Sequence, residues 1–403
     1  MNILRTIVLA AVAVFAACNR STEPVRVLRV WHFWSEPAQQ REFRKLLDQF
    51  ERTHPGIRIE TTPLQWSDGK AKLQIAFSSG TPPDVVHLGA EWITEFMPVL
   101  RQLDSTLVQT LRPEIVQFGR IGGTYYAVPW TVNARVLVVH RALGVNSNTT
   151  WNAFVAAVQR FHSPPQRYGI GLCISDPHNV LKRNLPLMWA TGSHVFRTLP
   201  LSTTIDTMFL AACAELEKLV PFAAIEQSRQ LDERLRRGQI GAVLTGTWML
   251  ADAAVRATYD VLSVIPHRGT SDGASILSGD CYAIARSTAH PGDAEQLLSF
   301  LSTWERAAQF CREVPDAGFP AQRVPSQQVL DTLLMRSSQW RNAYEQTFRS
   351  CVLPPLPYFL DAERDAEEVI AALLYGKLNP HTAHIELTQR INRLEQTWRS
   401  QSD

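Results

Sequence analysis

Two segments of this 403-residue chain place a tryptophan close to a carboxylate. One is Trp34-Ser35-Glu36 and the other is Glu91-Trp92. Indole faces can cover the apolar C–H patches of a ligand, while carboxylates accept hydrogen bonds from its hydroxyl groups. Two carboxylates in one aromatic cleft could instead act as the acid and base of glycoside hydrolysis. The residue types therefore indicate either a binding cleft for a polyhydroxylated molecule or a hydrolase site.

Further aromatic and polar residues lie at predicted strand ends or in the loops beside them. Such a mixture of an aromatic wall and a few polar groups is typical of small-molecule clefts. The predicted ligand-binding residues are Trp34, Ser35, Glu36, Asp84, Glu91, Trp92, Tyr126, Trp130, Arg135, Trp248 and Asp280.

Each of these residues also has a purely structural interpretation. Asp84 could brace the turn made by Pro82 and Pro83. Glu36 and Glu91 could stabilise the N-termini of the helices that follow them. The side chain of Arg135 could be solvated on the polar face of its strand.

An enzyme would need a specific arrangement of catalytic groups. The hydrolase alternative depends on Glu36, Asp84 and Glu91, and no hydrolase signature accompanies them. His381 and His384 form the only close histidine pair, without the motif of a zinc protease, and they fit a solvated helix better. We therefore predict no catalytic residue, no metal and no cofactor.

Composition sets limits on the partners and on the number of domains. The chain has 40 basic and 38 acidic residues, so its formal charge of +2 does not favour nucleic acid as a partner. It is longer than the roughly 250 to 300 residues at which a single core stops growing. We expect two domains.

The first eighteen residues predict export. Arg5 precedes an apolar run at residues 7–16, which is shorter than the roughly 20 residues of a membrane-spanning helix. Ala16, Ala17 and Cys18 close the run and resemble a bacterial lipobox, in which the cysteine is lipidated and becomes the mature N-terminus. We expect removal of residues 1–17 and a lipid anchor on Cys18, with ordinary cleavage as the alternative.

Five cysteines remain beyond Cys18. They are widely spaced and form no Cys-x-x-Cys motif, which gives no support for a zinc site. One or two disulfides are possible in an oxidising compartment, and buried single thiols are the alternative. The spacing leaves open any pairing among Cys173, Cys213, Cys281, Cys311 and Cys351.

Hydrophobic periodicity predicts alternating strands and helices. Apolar runs at residues 25–33, 57–59 and 84–88 indicate three strands, with two helices between them. This order implies parallel pairing, so the loops that follow the strands should meet at one edge of the sheet. Residues 136–140 and 240–245 indicate later strands, and the last seventy residues are mostly helical.

Several segments together resemble the family 1 extracellular solute-binding proteins, the sugar-binding components of bacterial ABC importers. The most specific is Ser-Gly-Thr-Pro-Pro-Asp-Val-Val at 79–86, and Gly-Thr-Tyr-Tyr-Ala-Val-Pro-Trp at 123–130 is similar to the segment before the first crossing between lobes. The stretch 238–248 ends in Gly-Thr-Trp, as in the family. Asp280-Cys281 departs from the glycine-rich return strand found there.

The resemblance implies the two-lobed type II periplasmic-binding-protein fold, an α/β fold in which each lobe has a mainly parallel sheet flanked by helices. Residues 18–131 and 282–325 would form lobe 1, and residues 132–281 and 326–403 would form lobe 2. A sugar, polyol or glycerol phosphate would bind at the hinge and pass to ABC permease subunits in the membrane. The protein would be a monomer in the periplasm or at the cell surface. A sensor module that feeds a signalling receptor is a further alternative.

Overall fold

The computed structural model describes residues 25–269, 271–333 and 337–402. The predicted signal segment 1–17 and Cys18 therefore lie outside the described residues. Strands and helices alternate along most of the chain, which gives the α/β fold class expected from the periodicity. The strands are β1 (Arg26–His32), β2 (Ile57–Pro63), β3 (Val85–Gly89), β4 (Arg120–Ile121), β5 (Thr124–Tyr125), β6 (Ala127–His140), β7 (Tyr168–Cys173), β8 (Ala223–Glu226), β9 (Ile240–Gly246), β10 (Tyr259–Leu262), β11 (Leu277–Ile284) and β12 (Phe319–Pro320).

The opening of the chain builds a parallel sheet. Strand β1 lies between β2 and β3 and is parallel to both, as the strand–helix order predicts. Strand β11 then pairs antiparallel with β3, and β6 pairs antiparallel with β11. The predicted parallel core is confirmed, and the two added strands make the sheet mixed.

Strand β6 is shared between two parts of the sheet. Its residues up to Ala134 pair with β11, and from Arg135 onward it pairs with β9. Beyond β9 the sheet continues through β7 to β8, and these three strands are parallel. We call the part built on β1, β2, β3 and β11 the first lobe, and the part built on β7 to β10 the second lobe.

Helices cover the sheet and supply much of its apolar packing. The helices are α1 (Pro37–Thr53), α2 (Gly69–Ser78), α3 (Ile93–Phe96), α4 (Pro113–Val116), α5 (Trp151–Phe161), α6 (Val180–Ala190), α7 (Thr207–Leu219), α8 (Ser228–Arg236), α9 (Ala253–Thr258), α10 (Pro291–Leu301), α11 (Trp304–Glu313), α12 (Gln327–Leu333), α13 (Ser338–Arg349), α14 (Phe359–Leu374) and α15 (Pro380–Ser402).

Helix α1 shows how the sequence pattern produces this packing. Phe43, Leu46, Leu47 and Phe50 recur at helical spacing, and all four are buried against the sheet. Burial of such a side chain contributes about 1.5 to 3 kcal/mol relative to its exposure. The helix begins after Glu36, whose backbone N–H donates to the Gln39 side chain at 3.1 Å.

The apolar core divides into two clusters, and the first also takes in residues of the second-lobe strands, among them Cys173, Ile240 and Val261. The first cluster includes α1 and the strands of the first lobe. The second includes α5, α6 and α7, and the C-terminal helices α14 and α15 pack onto it. Helix α13 contacts both regions, because it packs on β10 while its Trp340 ring lies 5.8 Å from the Phe319 ring on β12. The chain therefore returns to the first lobe before it ends in the second.

The five cysteines in the described part of the chain are all free thiols. Cys173, Cys213, Cys281 and Cys311 are buried, and Cys351 is partly exposed. Of the two alternatives raised by the spacing, the structure has unbonded thiols rather than one or two disulfides. Burial raises the pKa of the Cys213 thiol to about 12, which disfavours the reactive thiolate.

Candidate functional site

Loops that follow parallel strands meet at one edge of each lobe. In the first lobe these loops follow β1, β2 and β3, and in the second lobe they follow β7 and β9. The carboxyl ends of strands are where open α/β sheets bind ligands. The side chains on these loops are therefore the candidates for a ligand site.

Three of the predicted tryptophans, Trp34, Trp92 and Trp130, are buried in the first lobe. Trp34 donates its indole N–H to the Tyr282 hydroxyl at 2.9 Å, and Trp130 donates to the Leu301 carbonyl at 2.8 Å. Both rings also pack against the Phe310 ring, with centroids 4.8 and 4.7 Å away. Because only 5% of Trp34 and 1% of Trp130 is exposed, neither indole face is open to a ligand in this conformation.

Asp84 is engaged in holding strands together. Its carboxylate accepts the backbone N–H of Arg29 at 2.8 Å and the hydroxyl of Thr288 at 2.7 Å. These bonds join the start of β3 to β1 and to the loop after β11. These contacts favour the structural interpretation of Asp84, in which it braces the turn before β3, over a role in ligand binding.

Asp280 belongs to a second buried network. Its two oxygens accept from the Thr131 hydroxyl at 2.9 Å and pair with His87 Nε2 at 3.0 Å. The Nδ1 atom of His87 accepts the backbone N–H of Phe33 at 3.0 Å, so the proton of a neutral His87 lies on Nε2. Asp280 thus links β11, β6 and β3.

Three other predicted residues lie nearer the surface of the first lobe. Glu36 is exposed where α1 begins, and Ser35 donates its hydroxyl proton to Gln65 at 3.2 Å. Tyr126 is half-buried, and its backbone N–H donates to the Gly119 carbonyl at 2.8 Å. Asp84 precedes β3 and Glu91 follows it, so these two carboxylates lie at opposite ends of one strand. Glu36 is exposed and Glu91 is paired with Lys182, an arrangement that gives the hydrolase alternative no support.

An aromatic platform lies at the carboxyl end of β2. Trp66 is 48% exposed and stacks on the Phe33 ring at 4.3 Å with an interplanar angle of 25°. The Trp92 ring lies 5.3 Å from the Trp66 ring and is buried beneath it. Trp66 was not among the residues predicted from the sequence. Its position directly after a strand parallel to β1 is the signal that could have identified it.

The second lobe presents Trp248 next to a buried cation. Trp248 is half-buried at the end of β9, and the Arg135 guanidinium lies 4.7 Å from the centre of its ring. Arg135 is 7% exposed and donates through Nη2 to Asn179 Oδ1 at 3.2 Å. Burial, assisted by the positive charge of Arg183, lowers the pKa of Arg135 to about 10. Arg135 on β6 therefore contacts both Trp248 and Asn179.

A buried ion pair joins the two lobes. The Lys182 ammonium, in the first turn of α6, lies 2.6 Å from the Glu91 carboxylate in the loop after β3. Only 7% of the Lys182 side chain and 17% of the Glu91 side chain is exposed. Burial acts to raise the pKa of Glu91, but the charge and hydrogen bond of Lys182 together outweigh it and hold that pKa at about 2. Glu91 is therefore ionised and already paired.

The loop that carries Asn179 is anchored from the C-terminal part of the chain. His178 Nδ1 pairs with the Glu363 carboxylate of α14 at 2.6 Å. Glu367, one turn later, accepts the backbone N–H groups of His178 at 3.2 Å and Leu181 at 3.1 Å. His178 has a left-handed backbone conformation, with φ of 66°, which is unusual for a residue other than glycine. Two carboxylates on one helix face thus position the start of α6.

The bonds from Glu363 and Glu367 to the start of α6 predict that the stability of the protein depends on pH. Burial, with the added charge of Glu363, raises the pKa of Glu367 from 4.5 to about 7, and the bond to Glu363 raises that of His178. Both groups bind protons more tightly in the folded state, so their stabilising effect is full at low pH and is lost as pH rises through the raised values. We expect Glu367→Gln to remove up to about 3 kcal/mol of the fall in unfolding free energy between about pH 5 and 8.

Urea denaturation at a series of pH values measures this effect. Glu345→Gln is the matched control, because Glu345 is an exposed glutamate on α13 and should leave the pH profile unchanged. An unaltered pH profile in folded Glu367→Gln would show that Glu367 is ionised throughout this range.

No group of three or more His, Cys, Asp or Glu side chains that could hold a metal ion occurs within residues 25–269, 271–333 and 337–402. In the same ranges, none of the helices has both the length and the apolar character needed to cross a membrane.

Comparison with known proteins places this architecture. The bacterial extracellular solute-binding protein family matches residues 34–305. An uncharacterised ABC transporter extracellular-binding protein of Pyrococcus horikoshii is 25% identical over 310 residues, which is 70% of each chain. An uncharacterised lipoprotein of Streptomyces antibioticus is 25% identical over 168 residues, covering 38% of this chain and 36% of that protein.

Solved structures share the two-lobed fold. The GacH receptor of Streptomyces glaucescens, solved without ligand and with acarbose, has a TM-score of 0.77 at 17% identity, over 92% of this chain and 99% of that chain. The sugar-binding protein MalE of Xanthomonas citri has a TM-score of 0.75 at 18% identity, over 94% and 100%. At such identities the likeness concerns the fold, while the family match spans most of the chain. The chain therefore belongs to the bacterial extracellular solute-binding protein family.

Proposed function

We propose that the protein captures a carbohydrate or related polyol between its two lobes and delivers it to the permease subunits of an ABC importer. The observation that carries the proposal is the pair of aromatic side chains, Trp66 and Trp248, at the carboxyl ends of strands in different lobes. Indole faces suit the C–H patches of sugar rings. The sugar-binding structural relatives support the same ligand class.

The proposed contact set combines these aromatics with polar groups from both lobes. Glu91, Arg135, Asn179 and Lys182 form or adjoin the contacts between the strand-end loops. The buried Trp92 ring packs against the Trp66 ring at 5.3 Å. We leave out Trp34, Asp84, Trp130 and Asp280 because they are buried or partly buried and bond within the first lobe, whereas Glu91 and Lys182 lie where the two lobes meet.

The sheet supports a division of the chain close to the one implied by the family resemblance. We propose that the first lobe comprises residues 25–131 and a returning segment that ends near residue 325, and that the other described residues form the second lobe. The returning segment starts with β11, five residues before the boundary at 282, because β11 pairs with β3. The change of pairing partner along β6, between Ala134 and Arg135, lies near the first of these boundaries. A monomer containing both lobes would supply the whole cleft.

Two of the three carboxylates on which the hydrolase alternative depends, Asp84 and Glu91, are bonded to other parts of the fold. The family consists of binding proteins rather than enzymes, and Glu91, in the loop after β3, is paired with Lys182. We therefore propose no chemical step on the ligand.

A ligand screen tests the proposal. Mature protein without Cys18 is heated with mono-, di- and oligosaccharides, polyols and glycerol phosphates, because a ligand that binds only the folded state raises the unfolding midpoint. We expect one compound class to raise it. Trp66→Ala should weaken the binding free energy of that ligand by on the order of 1 to 3 kcal/mol, as truncation of aromatic anchors does.

Phe348→Ala is the matched control for the loss of an exposed aromatic ring. Phe348 is 57% exposed on α13 and packs against Arg112, away from the strand-end loops. Its loss should leave ligand affinity unchanged. Absence of any shift across the screen, or cleavage of the bound compound, would refute the proposed function.

We further propose that Cys18 carries a lipid that holds the protein at a membrane, in the periplasm or at the cell surface. The lipoprotein from Streptomyces antibioticus supports this proposal. Cys18→Ser should move the protein from the membrane fraction to the soluble fraction of cells. Cys351→Ser, which changes the one partly exposed cysteine of the described chain, should stay with the membrane. Retention of Cys18→Ser in the membrane fraction would exclude lipidation as the anchor.

A further inference from the structure

The buried charges between the lobes do not balance in pairs. Lys182 is paired with Glu91 at 2.6 Å, and Arg183 is paired with Asp232 at 2.9 Å. Arg135 lies beside them and forms no ion pair with any carboxylate in the described chain. Its polar contact is the neutral amide oxygen of Asn179.

Neighbouring acids do not supply the missing partner. Asp176, in the same loop as Asn179, accepts the backbone N–H of Ser228 at 3.2 Å and the Asn179 amide at 3.4 Å. Glu363 and Glu367 bond to His178 and to the backbone at the start of α6. A cation that is 93% buried without a counter-ion is costly, because its lost hydration is not replaced.

Unpartnered donors accompany the unpaired charge. The Nε atom of Arg135 is buried without a hydrogen-bond acceptor, as are Nε and Nη1 of Arg183. Arg183 is only 2% exposed. The positive charge of Arg183 also lowers the pKa of Arg135, and the charges of Glu91 and Asp232 act in the opposite direction by smaller amounts. An anion with several oxygen atoms would neutralise the charge of Arg135 and accept hydrogen bonds from the N–H groups of Arg135 and Arg183 that are left free in the described chain.

We propose that the ligand is an acidic carbohydrate or polyol, carrying a carboxylate or a phosphate, and that Arg135 is the counter-ion of that group. This inference rests on the proposed function, since it specifies the ligand class of the same cleft. A guanidinium binds an oxyanion through two parallel N–H···O bonds, a geometry that a neutral hydroxyl cannot match. The Trp248 ring contacts the guanidinium, with 4.7 Å between the guanidinium carbon and the ring centre.

The test compares each neutral sugar of the screen with its uronate and its phosphate ester, by calorimetry at constant ionic strength. We expect an acidic partner to bind roughly 10- to 100-fold more tightly than its neutral parent, the usual range for a hydrogen bond to a charged group. Arg135→Gln should weaken binding of the acidic partner far more than binding of the neutral parent, and so remove the preference. The separate uronate and phosphate titrations identify which anion is recognised.

Two further variants separate ligand recognition from folding. Arg237→Gln removes an exposed arginine on the surface after α8 and should keep the preference. Arg135→Lys keeps the positive charge but not the two parallel N–H donors, so part of the preference for the acidic ligand should remain. Without ligand, Arg135→Gln should change the unfolding midpoint little, because the cost of burying an unpaired cation is removed together with its contacts to Asn179 and Trp248. A large fall in the midpoint would indicate a structural arginine and would overturn the inference.

The outcomes also distinguish this inference from the proposed function. Tight binding of a neutral sugar without preference for its acidic partners would overturn the inference and leave the proposed function intact. Equal losses for neutral and acidic ligands in Arg135→Gln would do the same. If no carbohydrate or polyol binds at all, both proposals fall together.

Discussion

Replacing Trp130 with alanine is expected to lower the free energy of unfolding by about 3 to 5 kcal/mol, the usual cost of truncating a buried aromatic side chain. The indole is 1% exposed, packs against Phe310 and bonds to the Leu301 carbonyl. Its loss leaves a cavity and an unpaired carbonyl. Denaturant unfolding of both proteins measures the difference, and ligand affinity per folded molecule should be unchanged.

Trp66→Ala provides the comparison for Trp130→Ala. Trp66 is 48% exposed, so its removal should cost about 1 kcal/mol or less in stability while it weakens ligand binding. Trp130→Ala should therefore lower stability and keep ligand affinity, whereas Trp66→Ala should keep stability and lower ligand affinity. If Trp130→Ala kept its stability and lost the ligand, the sequence-based assignment of Trp130 to the cleft would be restored.

Replacing Lys182 with methionine is expected to cost about 3 to 5 kcal/mol, because it leaves the Glu91 carboxylate buried without its partner. The interaction joins the lobes, so the loss should appear both in the unfolding free energy and as a larger radius of gyration in X-ray scattering. Glu91→Gln should have a similar effect. The double variant should lose less than the sum of the single losses, since each single change already removes the same contact.

The ion pair between Lys70 and Glu95 is a suitable reference for this cycle. It has a similar length, 2.8 Å, but it lies within the first lobe and its side chains are 22% and 31% exposed. Lys70→Met should change stability by at most about 1 kcal/mol, as for ordinary surface pairs. Additive losses in Lys182→Met and Glu91→Gln would show that the two residues act independently.

The order of strands in the first lobe could be predicted because it depends on local patterns. The buried stripe of α1 and the apolar runs on either side of it are visible in any short window of the sequence. The strand–helix–strand order then restricts the pairing to a parallel sheet. Strand β11 could not be placed in this way, because its partners β3 and β6 lie more than a hundred residues away along the chain.

The site was harder to predict, because the direction of each side chain matters as much as its position. Trp130 lies in a stretch of β6 that is buried on both faces, so alternation along the strand gave no indication of which face meets a ligand. Trp66 was missed because the apolar signal of β2 ends at Ile59, whereas the strand continues to Pro63. The strand end, and with it the exposed tryptophan, lies farther along than the pattern indicates.

The charges at the site were beyond sequence reasoning for a further reason. Glu91 finds its partner at Lys182, and the loop that carries Asn179 is held by Glu363 and Glu367 from near the end of the chain. Nothing in the sequence around either residue identifies these partners, since they meet only when both lobes have formed. The net charge of +2 is close to neutral and gives no indication that Arg135 lacks a paired carboxylate among the described residues.

The sharing of β6 between the lobes has a consequence for the order in which the protein can fold during its synthesis. Residues 127–134 of β6 need β11 as a neighbour, and β11 emerges from the ribosome only after the whole stretch 141–276 has been made. The first sheet therefore stays open, with an unpaired edge at β3, while most of the second sheet is being translated. Contacts of such long sequence separation slow folding and leave nascent strands exposed to aggregation. A nascent chain of this protein thus has a long interval in which binding by a chaperone would protect that edge.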